Sequence, residues 1–210
     1  MAAAAFAALC VVAVAVLLVA EQRGAREARA LAKTVASLAF VGVALSLGAT
    51  DSAYGRWVLL ALVLSVAGDV LLLSGRSAAF LAGLGAFLLA HGAYAAAFVV
   101  AGVAPRSIEM AAVPALLVGA VVLRWLWPHL HGPMRAAVPL YIVVILAMAC
   151  TAAGHAGASG EATVAVAAVV FALSDLAVAR ERFVHASFMN RAWGLPAYYA
   201  AQLMLAGSVA

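Results

Sequence analysis

Two aspartates lie in stretches of sequence that otherwise hold almost no charge. Asp69 follows Ser65-Val-Ala-Gly and precedes Val-Leu-Leu-Leu, and Asp175 follows Phe171-Ala-Leu-Ser174, each within a long apolar run. A carboxylate at the centre of a bilayer helix costs roughly 2.5 to 3.5 kcal/mol on insertion scales, so it persists where it has a partner, a wet cavity or a task. Other side chains able to hold, orient or pass a proton recur nearby in sequence: Lys33, His91, Tyr94, Tyr141, Ser174, Tyr198, Tyr199 and Gln202. Paired carboxylates with tyrosine and histidine neighbours suit general acid and base chemistry. Each residue also has a plainer reading. The aspartates could cap a kink or pair with Lys33, and Lys33 could snorkel to the headgroups. The tyrosines could be packing or interface residues, and His91 and Gln202 could be interhelical glue. Intramembrane ionisable groups nonetheless point first to function.

The elements that would carry these residues are membrane helices. Of the 210 residues, 69% are hydrophobic and 10% charged, and the mean hydropathy is +1.17. Soluble domains carry roughly 25% charge. The net charge of +4 comes from basic residues in short clusters between apolar runs. No continuous basic stripe forms, so a nucleic-acid partner is not expected. A span needs about 20 apolar residues. Cutting at charged and Gly/Pro-rich breaks gives eight runs, at about 3–20, 31–49, 56–74, 78–100, 109–127, 135–153, 161–180 and 193–209. The fold expected is all-α, a polytopic bundle of eight transmembrane helices forming a single integral membrane domain over 1–210. The first run is read as a retained helix, because its arginines follow the apolar stretch. Pro114, Pro139 and Pro196 are expected in the first turn or two of their helices, and Pro105, Pro128 and Pro133 in loops.

Arg23, Arg26, Arg29, Arg76, Arg124, Arg135, Arg180, Arg182 and Arg191 fall in odd-numbered connections, against Arg56 and Arg106 in even ones. The positive-inside rule then makes the odd loops cytoplasmic and places both termini on the outer side of a plasma membrane or bacterial inner membrane. Both aspartates lie on inward-running helices, roughly 7 Å from the cytoplasmic end at 1.5 Å per residue. Their matching depth suggests a shared cavity facing the cytoplasm. Phe80, Gly83, Phe87, His91 and Tyr94 occupy one face of the fourth helix, with His91 expected deeper than the carboxylates. The interval from Asp69 to Tyr94 resembles that from Asp175 to Tyr198, a hint of a four-plus-four internal repeat. His129, His131, His155 and His185 fall in loops and form no compact metal set with His91. Cys10 and Cys150 form no disulfide or metal framework.

Taken in order, Ser65-x-x-Gly68-Asp69-x-x-Leu72, then Phe80-x-x-Gly83-x-x-x-Phe87-x-x-x-His91-x-x-Tyr94, then Phe171-x-x-Ser174-Asp175, then Tyr198-Tyr199-x-x-Gln202 resemble the YhhN family, eight-helix membrane proteins that include the vertebrate lysoplasmalogenases. Lys33 resembles the family's basic residue near the start of the second helix, although Thr34 stands where a proline often follows. The resemblance implies hydrolysis of the vinyl ether bond of lysoplasmalogen, with Asp69 and Asp175 as the catalytic pair and no cofactor or metal. The substrate would be a lysophospholipid drawn from the bilayer. Protonation of the β-carbon and attack of water on the resulting oxocarbenium ion need one acid and one base, as in a glycosidase. Which aspartate takes which role stays open at this level, as does the oligomeric state. Two competing classes remain: a small-solute or proton-coupled transporter, which would need a polar path across the bundle, and a hydrolase of another lysolipid.

Overall fold

The computed structural model describes all residues, Met1–Ala210, and is entirely helical. Its elements are α1 (Ala2–Arg23), α2 (Arg26–Ser46), α3 (Ala53–Leu72), α4 (Ser77–Ala101), α5 (Pro105–Leu126), α6 (Met134–Ser159), α7 (Thr163–Ala179) and α8 (Phe188–Gly207). A 3₁₀ turn, Trp127–His129, follows α5, and a π turn, Arg180–Val184, extends α7. The eight apolar runs therefore form eight helices. Seven are long and apolar enough to cross a membrane, and the protein is integral to it. The eighth, α8, has Asn190, Tyr198, Tyr199 and Gln202 among its buried residues. It packs against α1, α2, α3 and α7, so its polar side chains meet other helices rather than lipid.

Helices α1 and α5 present exposed Val11, Val12, Val16, Met110, Val113 and Leu117, the lipid-facing counterpart of a soluble protein's polar surface. The centre of the bundle is aromatic: Phe40, Tyr94, Phe98, Phe171 and Tyr199 are buried there. Helix contacts repeat between the halves. The pairs α1–α2, α2–α3 and α3–α4 recur as α5–α6, α6–α7 and α7–α8, and the α2–α8 contact recurs as α6–α4. Close approach beside the aspartates needs small residues. A Cβ on Gly68 would lie 2.6 Å from the Phe87 ring, and one on Gly194 would collide with Ala177.

Three expectations change. Helix α5 begins at Pro105, its first residue, which leaves Pro114 inside the helix. Pro196 is interior as well, whereas Pro139 falls in the second turn of α6 as expected. A proline inside a membrane helix is tolerated where neighbouring helices and local adjustment re-satisfy the freed carbonyl, so proline was a poor guide to helix starts here. The π turn carries α7 five residues past Ala179, so counting from Arg180 underestimated how far Asp175 lies from the end of its helix. His91 and Asp175, expected at different depths, are in contact, with Nε2 3.5 Å from Oδ2.

Candidate active site

The two aspartates sit in separate nests of side chains, each built from the helices that the repeat relates. The α3 centre holds Asp69, 2% exposed. Lys33 on α2 places Nζ 3.1 Å from Oδ1. Tyr198 on α8 donates to Oδ2 at 2.6 Å, and Ser37 on α2 places its hydroxyl 2.7 Å from the same oxygen. Lys33 and Ser37 are four residues apart and share one helical face. Tyr199 lies 3.1 Å from the Ser37 hydroxyl and donates to the Lys33 carbonyl at 3.2 Å. Behind this shell Tyr94 donates to Gln202 Oε1 at 2.6 Å, and Gln202 Nε2 donates to the Tyr198 hydroxyl at 3.1 Å. The Tyr198 hydroxyl is thereby left free to donate to Asp69. A buried ion pair holds only when further hydrogen bonds satisfy the remaining lone pairs, and here they do.

The α7 centre is arranged differently. Tyr141 on α6 donates to Asp175 Oδ2 at 2.9 Å, and His91 Nε2 on α4 lies 3.5 Å from the same oxygen. The Asp175 side chain is 20% exposed against 3% for Asp69, and no lysine or arginine pairs with it. His91 Nδ1 lies 2.6 Å from the Phe87 carbonyl, which can only accept, so Nδ1 carries a hydrogen. In a neutral ring Nε2 is then a lone pair, and it faces a carboxylate oxygen that is also an acceptor when ionised. Two acceptors at this distance repel unless one proton resides between them, on Asp175 or on His91. Nε2 is buried and makes no hydrogen bond within the chain.

No hydrogen bond joins the carboxylates. Phe171 packs against a partner of each centre, 4.5 Å from His91 and 5.4 Å from Tyr198 between ring centroids. The shared cavity expected from equal depth is thus two centres flanking an aromatic ring.

The expected site residues divide accordingly. Lys33, Tyr198 and Tyr199 gather at Asp69, while His91 and Tyr141 gather at Asp175. Tyr94 and Gln202 reach Asp69 only through Tyr198, and both are wholly buried. Ser174 reaches neither carboxylate, because its hydroxyl donates to the Phe171 carbonyl at 2.7 Å, the back-bonding common for serine inside a helix. Sequence reasoning missed Ser37, which its four-residue offset from Lys33 could have revealed, and Phe87, whose carbonyl fixes the His91 tautomer.

On the face bearing the odd connections, Glu21 and Glu181 gather arginines. Arg191 lies 2.8 Å from Glu21 and 3.1 Å from Glu181, and Arg29 lies 4.0 Å from Glu21. At the opposite end an open cavity of about 430 Å³ is lined by Tyr54, His155, Glu161, Thr163 and Ser208, among others. Phe98, wholly buried, lies between it and the Asp69 network, with ring centroids 6.1 Å from His155 and 6.5 Å from both Tyr54 and Tyr94.

The lysoplasmalogenase of Mycobacterium tuberculosis (strain CDC 1551 / Oshkosh) is 38% identical to this chain over 158 residues, which cover 71% of this chain and 59% of the relative. Lysoplasmalogenase TMEM86A is 29% identical over 155 residues in Bos taurus and 30% in Homo sapiens, covering 71% of this chain and 63% of each relative. The match thus spans about three fifths of these relatives' length. No solved structure matches. The YhhN family profile covers residues 28–209, from the helix that carries Lys33 to the helix that carries Tyr198, and the chain belongs to the YhhN family.

Proposed function

We propose that this protein is a membrane-embedded hydrolase that cleaves the vinyl ether bond of a lysoplasmalogen, with Asp175 and His91 as the proton-transfer pair. The observation that carries this reading is the His91 Nε2 lone pair 3.5 Å from Asp175 Oδ2 in a partly open setting. A proton held there is poised for delivery. The similarity to proteins named lysoplasmalogenase supplies the substrate class.

Asp175 protonates the β-carbon of R–CH=CH–O–R′, giving an oxocarbenium ion beside the newly formed carboxylate. Water adds to the carbon bearing oxygen, and the Asp175–His91 pair takes its proton. The hemiacetal collapses as the pair returns that proton to the leaving oxygen, and the hemiacetal hydroxyl gives its own proton back to the pair, which restores the starting acid. One water is consumed, and R–CH₂–CHO and R′–OH are released. Tyr141 holds Asp175 Oδ2 in place throughout. Asp69 is the standing anion. Its charge is matched by Lys33, whose side chain is 12% exposed and meets the substrate's phosphate at the rim. Tyr198, Tyr199 and Gln202 hold that ion pair, and Tyr94 acts through Gln202. The basic face is the cytoplasmic one by its arginine count, so the lysolipid enters from the inner leaflet.

Transport is the weaker reading because the polar chain from Asp69 ends at Tyr94. Beyond Tyr94 lies the apolar Phe98 and not the opposite cavity.

The test is to incubate the purified protein with lysoplasmalogen and, separately, with an ester-linked lysophospholipid, following fatty aldehyde and fatty acid. Aldehyde from the first and no acid from the second is the expected outcome. Acid release would reassign the enzyme to another lysolipid, and no product from either would reject the hydrolase reading.

A further inference from the structure

The connection between α5 and α6 carries basic residues with no acidic residue near them in sequence. No acidic residue occurs from Met110 to Gly160, yet this stretch carries Arg124, His129, His131 and Arg135. Elsewhere on the basic face Arg29 and Arg191 close onto Glu21 and Glu181. Arg124, like Arg23, Arg26 and Arg76, is exposed and its side chain forms no ion pair or hydrogen bond within the chain. Beside it Ala120, Leu123, Arg124, Trp127 and Pro128 line an open groove of about 730 Å³. Arg135 places its guanidinium 5.8 Å from the centroid of the Trp127 ring, which brings a second cation to the same lip.

The groove therefore has an apolar floor within the span and two uncompensated cations where the span ends. Trp125 and Trp127, 37% and 47% exposed, mark that end as the headgroup level, where tryptophan is enriched. Helix α5 packs chiefly on α6, so its outer face is open to lipid along its length. Juxtamembrane arginines near an anionic leaflet each strengthen attraction to acidic headgroups.

We infer that this groove binds an anionic phospholipid of the surrounding leaflet, with an acyl chain along Ala120 and Leu123 and the phosphate at Arg124 and Arg135. None of these residues belongs to either carboxylate centre, so the site stands whether or not the hydrolase reading holds. The apolar floor distinguishes a lipid from a free phosphate, which would use the arginines alone. The groove also abuts the catalytic half: Leu126, Leu130 and Val138 pack against Phe183 and Val184, in the π turn that extends α7.

Native mass spectrometry of the full chain in mild detergent, titrated with phosphatidylglycerol or phosphatidylcholine, tests this. Wild type should retain phosphatidylglycerol about tenfold more tightly, and the double variant Arg124→Gln/Arg135→Gln should lose most of that preference while binding phosphatidylcholine as before. Arg23→Gln/Arg26→Gln removes the same charge from the turn between α1 and α2 and should leave the preference intact. Equal retention of the two lipids by wild type would overturn the site. So would an equal loss in both double variants, which would mean a diffuse field. Displacement of phosphatidylglycerol by millimolar inorganic phosphate would assign the arginines to a soluble anion and overturn the lipid site.

Discussion

Asp69 and Asp175 occupy corresponding helices of two similar halves, yet they are kept in opposite condition. Asp69 is closed off, with Lys33 on one oxygen and Tyr198 and Ser37 on the other. Asp175 has one hydroxyl donor, a histidine lone pair, and several times the exposure. The same scaffold thus surrounds one carboxylate with a lysine and two hydroxyls and leaves the other beside a tyrosine and a histidine in a more open setting. A lysine at one centre and a histidine at the other make the difference, and they come from non-equivalent helices, α2 and α4. The two carboxylates thus have matching sets of helices around them and different side chains on those helices.

The contrast can be broken most severely at the closed centre. Lys33→Met leaves a buried, uncompensated carboxylate and should destabilise the protein by about 3–5 kcal/mol. The further change Asp69→Leu should restore much of that stability, measured by thermal unfolding in detergent. A harmless Lys33→Met would mean that the pair is not sealed. Next in size, Tyr198→Phe removes a donor from Asp69 and strands the Gln202 amide. It should cost about 1–3 kcal/mol, with no comparable loss from Tyr141→Phe if the open centre contributes little to folding. His91→Phe sharpens the other side. It should leave thermal stability within about 1–2 kcal/mol, since the bond from Nδ1 to the Phe87 carbonyl is lost while the unpartnered Nε2 is replaced by an apolar ring edge, and aldehyde release falls. A large loss of stability would show that His91 holds the bundle together instead of holding a proton. Smallest of all, Ser174→Ala should change activity and stability little, because its hydroxyl serves only the backbone of its own helix.

Much of this was legible in the chain itself. The apolar runs located all eight helices, and the two aspartates were conspicuous because charge is so costly in those runs. Tyr141 and the Tyr198–Tyr199 pair emerged from depth and spacing. What the one-dimensional pattern could not give was which helix faces which. Equal depth fixes height but not azimuth, so the carboxylates looked like one pair when Phe171 and its neighbours hold them as two centres. Counting height also failed for His91, which was expected deeper than the carboxylates yet reaches Asp175. Ser174 attracted notice by adjacency to Asp175, whereas Ser37, a turn along from Lys33, was the serine that reaches a carboxylate.

In the proposed reaction the proton comes from the Asp175–His91 pair. The initial rate of aldehyde release from lysoplasmalogen by folded Asp175→Asn protein tests it most directly, with thermal unfolding recorded on the same sample. Loss of a general acid should lower that rate by about 10²- to 10⁴-fold while the unfolding temperature stays near that of wild type. A folded Asp175→Asn protein that releases aldehyde at close to the wild-type rate would contradict the assignment.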